Sequence, residues 1–119
     1  MIGGAGRDIL IGGSGNDTFD FDAVSDSPAV PALRDSINGF SHGYDHIDLA
    51  TIDSNTLVAG NQAFSFIGKA AFSGATGQLR YTAYENGCLV DGDINGDKLT
   101  DFQIAINGTS WVTGTDFVL

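Results

Sequence analysis

Basic residues are scarce in this chain: five Lys and Arg stand against 15 Asp and Glu, giving a formal net charge of -10 over 119 residues. That balance repels nucleic acid and anionic membrane surfaces, and it opposes compaction unless cations neutralise it. Nucleic acid is thereby set aside as a partner, and a cation is called for. Cysteine is nearly absent. With Cys88 alone no intrachain disulfide can form, so stability must come from packing or metal. Cys88 itself reads as a small buried apolar side chain. No stretch approaches the roughly 20 apolar residues that cross a bilayer, so no membrane insertion is expected. Met1 runs straight into glycines, without the basic and apolar run of an export leader. Both prolines, Pro28 and Pro31, fall in one short stretch, and no segment carries a convincing helical period.

What is present is glycine, aspartate and phenylalanine. A hydrophobic fraction of 42% with eight Phe supports one domain with a modest core. Residues 3–20 hold two nine-residue units, GGAGRDILI and GGSGNDTFD, each opening on paired glycines and carrying aspartate at its sixth position. Glycine pairs let the backbone turn tightly and aim carbonyl oxygens inward, because no Cβ obstructs the unusual φ values. A carboxylate per turn adds charge, and an all-oxygen shell of this kind suits calcium, which takes six to eight such ligands. Positions one, three and six of each unit are the candidate ligands: Gly3, Ala5 and Asp8, then Gly12, Ser14 and Asp17. The three residues that follow each turn read as a short strand with its central apolar side chain, Leu10 or Phe19, directed inward. Continuing in steps of nine reaches Asp26 and Asp35. These units resemble the calcium-binding nonapeptides of RTX proteins, and that resemblance implies two units, or 18 residues, to a turn, which would stack Asp26 on Asp8 and Asp35 on Asp17, each pair sharing an ion, with Ile37 in the inward place.

Residues 23–36 read as a connecting loop and residues 37–119 as short strands. The candidates are INGF, HIDLATI, AFSFIG, LRYTAY, CLVDGDI, FQIAI and SWV, with tight hairpin turns expected at Asn86-Gly87 and Asn107-Gly108. Within DGDINGDKLTDF, residues 91–102, Asp93, Asn95, Asp97 and Asp101 present side-chain oxygens at positions 1, 3, 5 and 9 of one loop. That is the logic of an EF-hand loop, without its closing Glu at position 12 and with Lys98 where glycine is usual. The other reading is a solvated acidic hairpin. HGYDHIDL, residues 42–49, offers Asp45 and Asp48 as further calcium ligands or as plain turn residues. His42 and His46 stand four apart, but Gly43 between them argues against a helix and no third zinc ligand is evident.

The two nonapeptides match the calcium-binding repeat G-G-x-G-x-D-x-U-x of RTX proteins at every fixed position. With the SDSP loop, RDSINGFSHGYDHIDLATID, NQAFSFIG, GQLRYTAYENG and DGDINGDKLTDFQIAING, nearly the whole chain resembles the C-terminal domain of serralysin-type metalloproteases. Similar domains end other secreted enzymes, including alginate-modifying ones. The resemblance implies an all-β fold: the end of a parallel β-roll over residues 1–36 running into a β-sandwich over residues 37–119, the two forming one cooperative unit. It implies several bound calcium ions, secretion through type I machinery, and an acidic–apolar export tail, matched by Asp116-Phe117-Val118-Leu119. It places any catalytic domain, a protease or polysaccharide-modifying enzyme, upstream, and the chain's opening in mid-repeat fits a piece of a larger protein. The residues agree in one respect, since no HExxH occurs. A second reading is a polysaccharide-binding module using Tyr81, Tyr84 or Trp111, against the alternative that these aromatics serve packing.

Overall fold

The computed structural model describes residues 9–12, 15–21, 34–50, 52 and 64–119. The described elements are strands and one short 3-10 turn. In chain order the strands are β1 (Ile9–Ile11), β2 (Thr18–Asp20), β3 (Asp35–Asn38), β4 (His46–Asp48), β5 (Ser65–Phe66), β6 (Gln78–Tyr84), β7 (Gly87–Asp93), β8 (Phe102–Asn107) and β9 (Phe117–Val118), with the 3-10 turn at Gly114–Asp116. They form a six-stranded sheet, β1-β3-β8-β7-β6-β5, and a three-stranded sheet, β2-β4-β9.

The roll is read from the parallel pairings. β1, β3 and β8 lie side by side in one sheet, and the strand that follows each of them on the roll, β2, β4 and β9, lies in the other. Register stacks Leu10 beside Ile37 and Ile37 beside Ile106, while Phe19 lies beside Ile47 and Ile47 beside Phe117. Each of these six is buried, so the inward place expected for Leu10, Phe19 and Ile37 is the one they occupy. Alternation along each short strand directs one central side chain inward, and burying such a side chain contributes about 1.5–3 kcal/mol. Phe21 meets Phe102 edge-on at 5.7 Å between ring centroids, joining the roll to the antiparallel part of the six-stranded sheet. All of these residues belong to one continuous core. The boundary at residues 36 and 37 falls inside β3, so the roll and the rest share a sheet as well as a core.

The register corrects the 18-residue turn. Leu10 pairs with Ile37, 27 positions on, and Phe19 pairs with Ile47, 28 positions on. Asp35 therefore lies in β3 beside Ile104, in the other sheet from the β2 strand that Asp17 precedes. The partner of Asp17 across the coil is Asp45. Asp8 and Asp26 lie outside the described residues, as do Gly3, Ala5 and Ser14.

Two turns also differ from expectation. The β6–β7 hairpin turns at Glu85 and Asn86, with Tyr84 opposite Gly87. Gly87 is needed for space, because a Cβ there would fall 2.1 Å from the Ile106 carbonyl oxygen. Gly108 does adopt a positive φ of 89°, yet no hairpin follows it. The SWV segment is irregular, and the strand in this region is β9, within the tail.

Candidate metal centre

The strongest acidic grouping sits in the loop between β7 and β8. The antiparallel pair brings Gly92 opposite Phe102, and the Asp101 amide donates to the Gly92 carbonyl at 2.8 Å, closing the loop at its neck. Inside it, the buried Asp93 carboxylate accepts from three amides: Asn95 at 3.2 Å, Gly96 at 2.9 Å and Lys98 at 3.0 Å. Asn95 Oδ1 accepts from the Asp97 amide at 3.2 Å, and Asp97 Oδ1 from the Leu99 amide at 2.9 Å. Asp101 Oδ2 accepts from the Ile94 amide at 3.0 Å. These alternate short-range bonds are what Asp and Asn at positions 1, 3 and 5 offer a chain that cannot continue a strand.

The result is a crowd of negative charge. One carboxylate oxygen from each of Asp93, Asp97 and Asp101 lies within 4.8 Å of the others. No basic side chain among the described residues pairs with any of the three; the ion pairs there are His42–Asp116 and Arg80–Asp91. Burial, the first cause, pushes the Asp101 carboxyl above its ordinary value, and the charges of Asp97 and Asp93 push the same way. Lys98 takes the position where an EF-hand loop has glycine and adopts φ 66°, the one non-glycine positive φ among the described residues. The backbone thus follows the expected course despite the substitution, at a cost of about 1 kcal/mol.

The second repeat shows the other device. A Cβ on Gly12 would meet Asp17 Oδ2 and the Phe19 ring, each at 3.0 Å, so the glycine makes room for the carboxylate to fold over the turn. Asp17 Oδ2 is buried there without a hydrogen-bond partner. A carboxylate oxygen of this kind, set against a glycine turn, fits a cation ligand, since a buried unpaired carboxylate is otherwise strongly unfavourable. The Asp17 amide donates to Asp45 Oδ1 at 3.0 Å, and the Asp17 carbonyl accepts from the His46 amide at 2.9 Å.

Asp45 and Asp48 both bond backbone amides. The fully buried Asp45 carboxylate also accepts from the Ser41 amide at 2.9 Å, so both its oxygens are satisfied by backbone. Asp48 Oδ1 accepts from the Ala50 amide at 2.9 Å. His42 and His46 join no group of three ligating side chains among the described residues. Instead His42 Nδ1 bonds Asp116 Oδ2 at 2.9 Å. The carboxylate can only accept, so the hydrogen is on Nδ1. Sequence reasoning took Asp116 as part of an export tail and missed this contact. The Thr113–Asp116 spacing of a capping box signals only the local bond from the Thr113 amide to Asp116 Oδ2 at 2.9 Å. A cross-sheet ladder, Arg34–Gln103–Asp91–Arg80, was also missed, because it links residues 69 and 12 positions apart.

Comparison with known proteins agrees with this architecture. No curated protein matches the chain in sequence. Among solved structures, the AlgE6R3 subunit of the Azotobacter vinelandii mannuronan C5-epimerase superposes with a TM-score of 0.64 at 26% identity. The match covers 98% of this chain and 60% of that one, so this chain spans less than two thirds of its relative. The AlgE6R2 subunit of the same epimerase superposes with a TM-score of 0.66 at 21% identity, covering 99% of this chain and 68% of that one, a likeness of fold. The profile of Peptidase M10 serralysin C-terminal domains matches residues 1–119, and the chain belongs to that family.

Proposed function

We propose that this domain is a non-catalytic, calcium-binding module of a secreted enzyme, folding on calcium outside the cell and carrying a C-terminal export signal for type I machinery. The observation that carries the reading is the convergence of Asp93, Asp97 and Asp101 within 4.8 Å with no basic partner. Asp93, Asn95, Asp97 and Asp101 would hold one ion, and Gly12 with Asp17 would contribute to another. Calcium supplies the charge that lets these carboxylates approach, and what the chain supplies is their placement. Each ion bound only by the folded state adds RT ln(1 + [Ca]/Kd), about 1.8 kcal/mol at twentyfold Kd. Three such sites contribute on the order of 5 kcal/mol, comparable with the whole stability of a marginal domain. In low calcium the repelling acids keep the chain loose enough to be threaded through a channel. A catalytic domain upstream is part of this proposal.

Calorimetric titration of chelated protein with calcium tests the reading. Binding of more than one ion with a gain of β structure by circular dichroism supports it, and an unchanged spectrum and melting temperature in excess chelator sinks it. For the tail, deletion of Asp116–Leu119 is a poor probe, because Asp116 and Phe117 are buried parts of the fold. Val118 projects its side chain outward, while its carbonyl accepts from the Leu49 amide at 2.9 Å. Val118→Ser keeps that pairing and alters only the exposed surface. Reduced export of a fused cargo with unchanged calcium binding supports the signal, and unchanged export argues against this position in it.

A further inference from the structure

Trp111 is the chain's single tryptophan and is 49% exposed. One face of its indole lies flat on the His42 imidazole, with centroids 3.7 Å apart and planes 5° from parallel. His42 is itself fixed, by the 2.9 Å bond to the buried Asp116 carboxylate and by edge-on contact with the Phe40 ring at 5.5 Å. Phe40 in turn meets Phe19 of the core at 6.3 Å. The indole is therefore braced through three rings to the interior. Since its inner face is covered, its exposure comes from the outer face and edge.

The chain on either side of this ring is hydroxylic. Ser110, Thr113 and Thr115 are exposed, with the Thr113 and Thr115 hydroxyls 2.8 Å apart. The apolar residue beside Trp111 in the chain, Val112, is buried. The two other aromatics considered from sequence are engaged: Tyr81 is stacked on Phe66 and covered by the Lys69 ammonium at 5.7 Å, and the Tyr84 hydroxyl bonds Ile106 and Asn107.

We propose that Trp111, held by His42, is a stacking platform for one pyranose ring of a polysaccharide. The C–H face of a pyranose carries partial positive charge and complements the negative face of the indole, and exposed Ser110, Thr113 and Thr115, near it in the chain, offer hydroxyls to the sugar's own. A ring already immobilised loses little conformational freedom when the sugar settles on it. The site takes a neutral sugar or a uronate with its charge turned to solvent, and the mannuronan epimerase subunits similar in structure make the uronate a necessary arm of the test.

The test uses the full chain in calcium, with cellohexaose and hexamannuronate as probes and the single tryptophan's fluorescence as reporter. A saturable emission shift with either probe is expected, and which probe gives it identifies the sugar class. Trp111→Ala is expected to weaken that probe's binding about tenfold, read by calorimetry, with Trp111→Phe retaining most of it. No emission change with either probe at millimolar concentration overturns the proposal, as does binding undiminished in Trp111→Ala. Calcium stoichiometry measured on the same variant separates this site from the calcium reading: unchanged ion binding with lost sugar binding isolates the platform.

Discussion

The turn at Ser41–Asp45 and the loop at Asp93–Asp101 use the same residue type to opposite ends. At Asp45 the two carboxylate oxygens are consumed by the Ser41 and Asp17 amides, from its own turn and from the adjoining coil, and the group is fully buried. In the loop between β7 and β8, Asp93 likewise accepts from amides on both oxygens, yet one carboxylate oxygen from each of Asp93, Asp97 and Asp101 lies within 4.8 Å of the others. Asp45 joins no group of three acids among the described residues, whereas the loop gathers negative charge that a cation would offset. Burial of a carboxylate is thus no guide to metal binding. What counts is whether other carboxylates crowd the same space, since backbone N–H groups face both Asp45 and Asp93.

The largest effect expected from this contrast is that of chelation, a loss on the order of 5 kcal/mol seen as a fall in melting temperature, with magnesium unable to restore it. Magnesium's smaller, strictly octahedral shell fits a carbonyl-rich turn badly. Next is Asp45→Ala, which strands the Ser41 and Asp17 amides at a cost of about 2–4 kcal/mol. That loss is expected to be the same in calcium and in chelator; a loss confined to calcium would place an ion at Asp45 and erase the contrast. Asp97→Ala is expected to remove one ion by calorimetry and about 1.8 kcal/mol at twentyfold Kd, with no destabilisation in chelator. Lys98→Gly relieves the positive φ and is expected to add about 1 kcal/mol in denaturant melts, with tighter calcium binding.

The smallest effect is that of pH on calcium-free protein. Asp101 and Asp91 both have folded carboxyls raised above the ordinary 3.8, mainly by burial. A raised acid holds its proton more tightly when folded, so its contribution is present below the ordinary value and lost as pH rises through the raised one. Chelated protein is therefore expected to gain stability from these groups on acidification toward about pH 4, and calcium-loaded protein to lose it as protons compete for the ligands. Parallel melts across pH in the two conditions check the reversal.

Local chemistry was legible in the sequence and long-range register was not. Short-range spacing announced the Asp93–Asp101 loop, and the nine-residue repeat announced Leu10, Phe19 and Ile37 as inward-facing. The 18-residue turn failed because a nine-step pattern in aspartate was extended through residues 22–34, where the glycines that make each turn compact are absent. The observed offsets of 27 and 28 take up a longer connection there. The role of Asp45 was likewise closed to sequence reasoning. HGYD and NGDK both place acids near a glycine, and only the register brings the Asp17 amide to one of them.

The pairing of Ile47 with Phe117 joins positions seventy apart, whereas the earlier layers of the roll join positions 27 or 28 apart. Closing a loop of that length adds little to the thermodynamic cost, since each doubling adds only about 0.6 kcal/mol, but it delays the contact. Until residues 117–118 arrive, β4 is a bare edge strand whose amides and carbonyls are open to the wrong neighbour. The order of assembly is thereby written into the topology: the six-stranded sheet has its hairpins β6–β7 and β7–β8 to start from, while the three-stranded sheet waits. Aggregation during refolding should begin at β4, and a short peptide copying residues 113–119 should suppress it by occupying that edge.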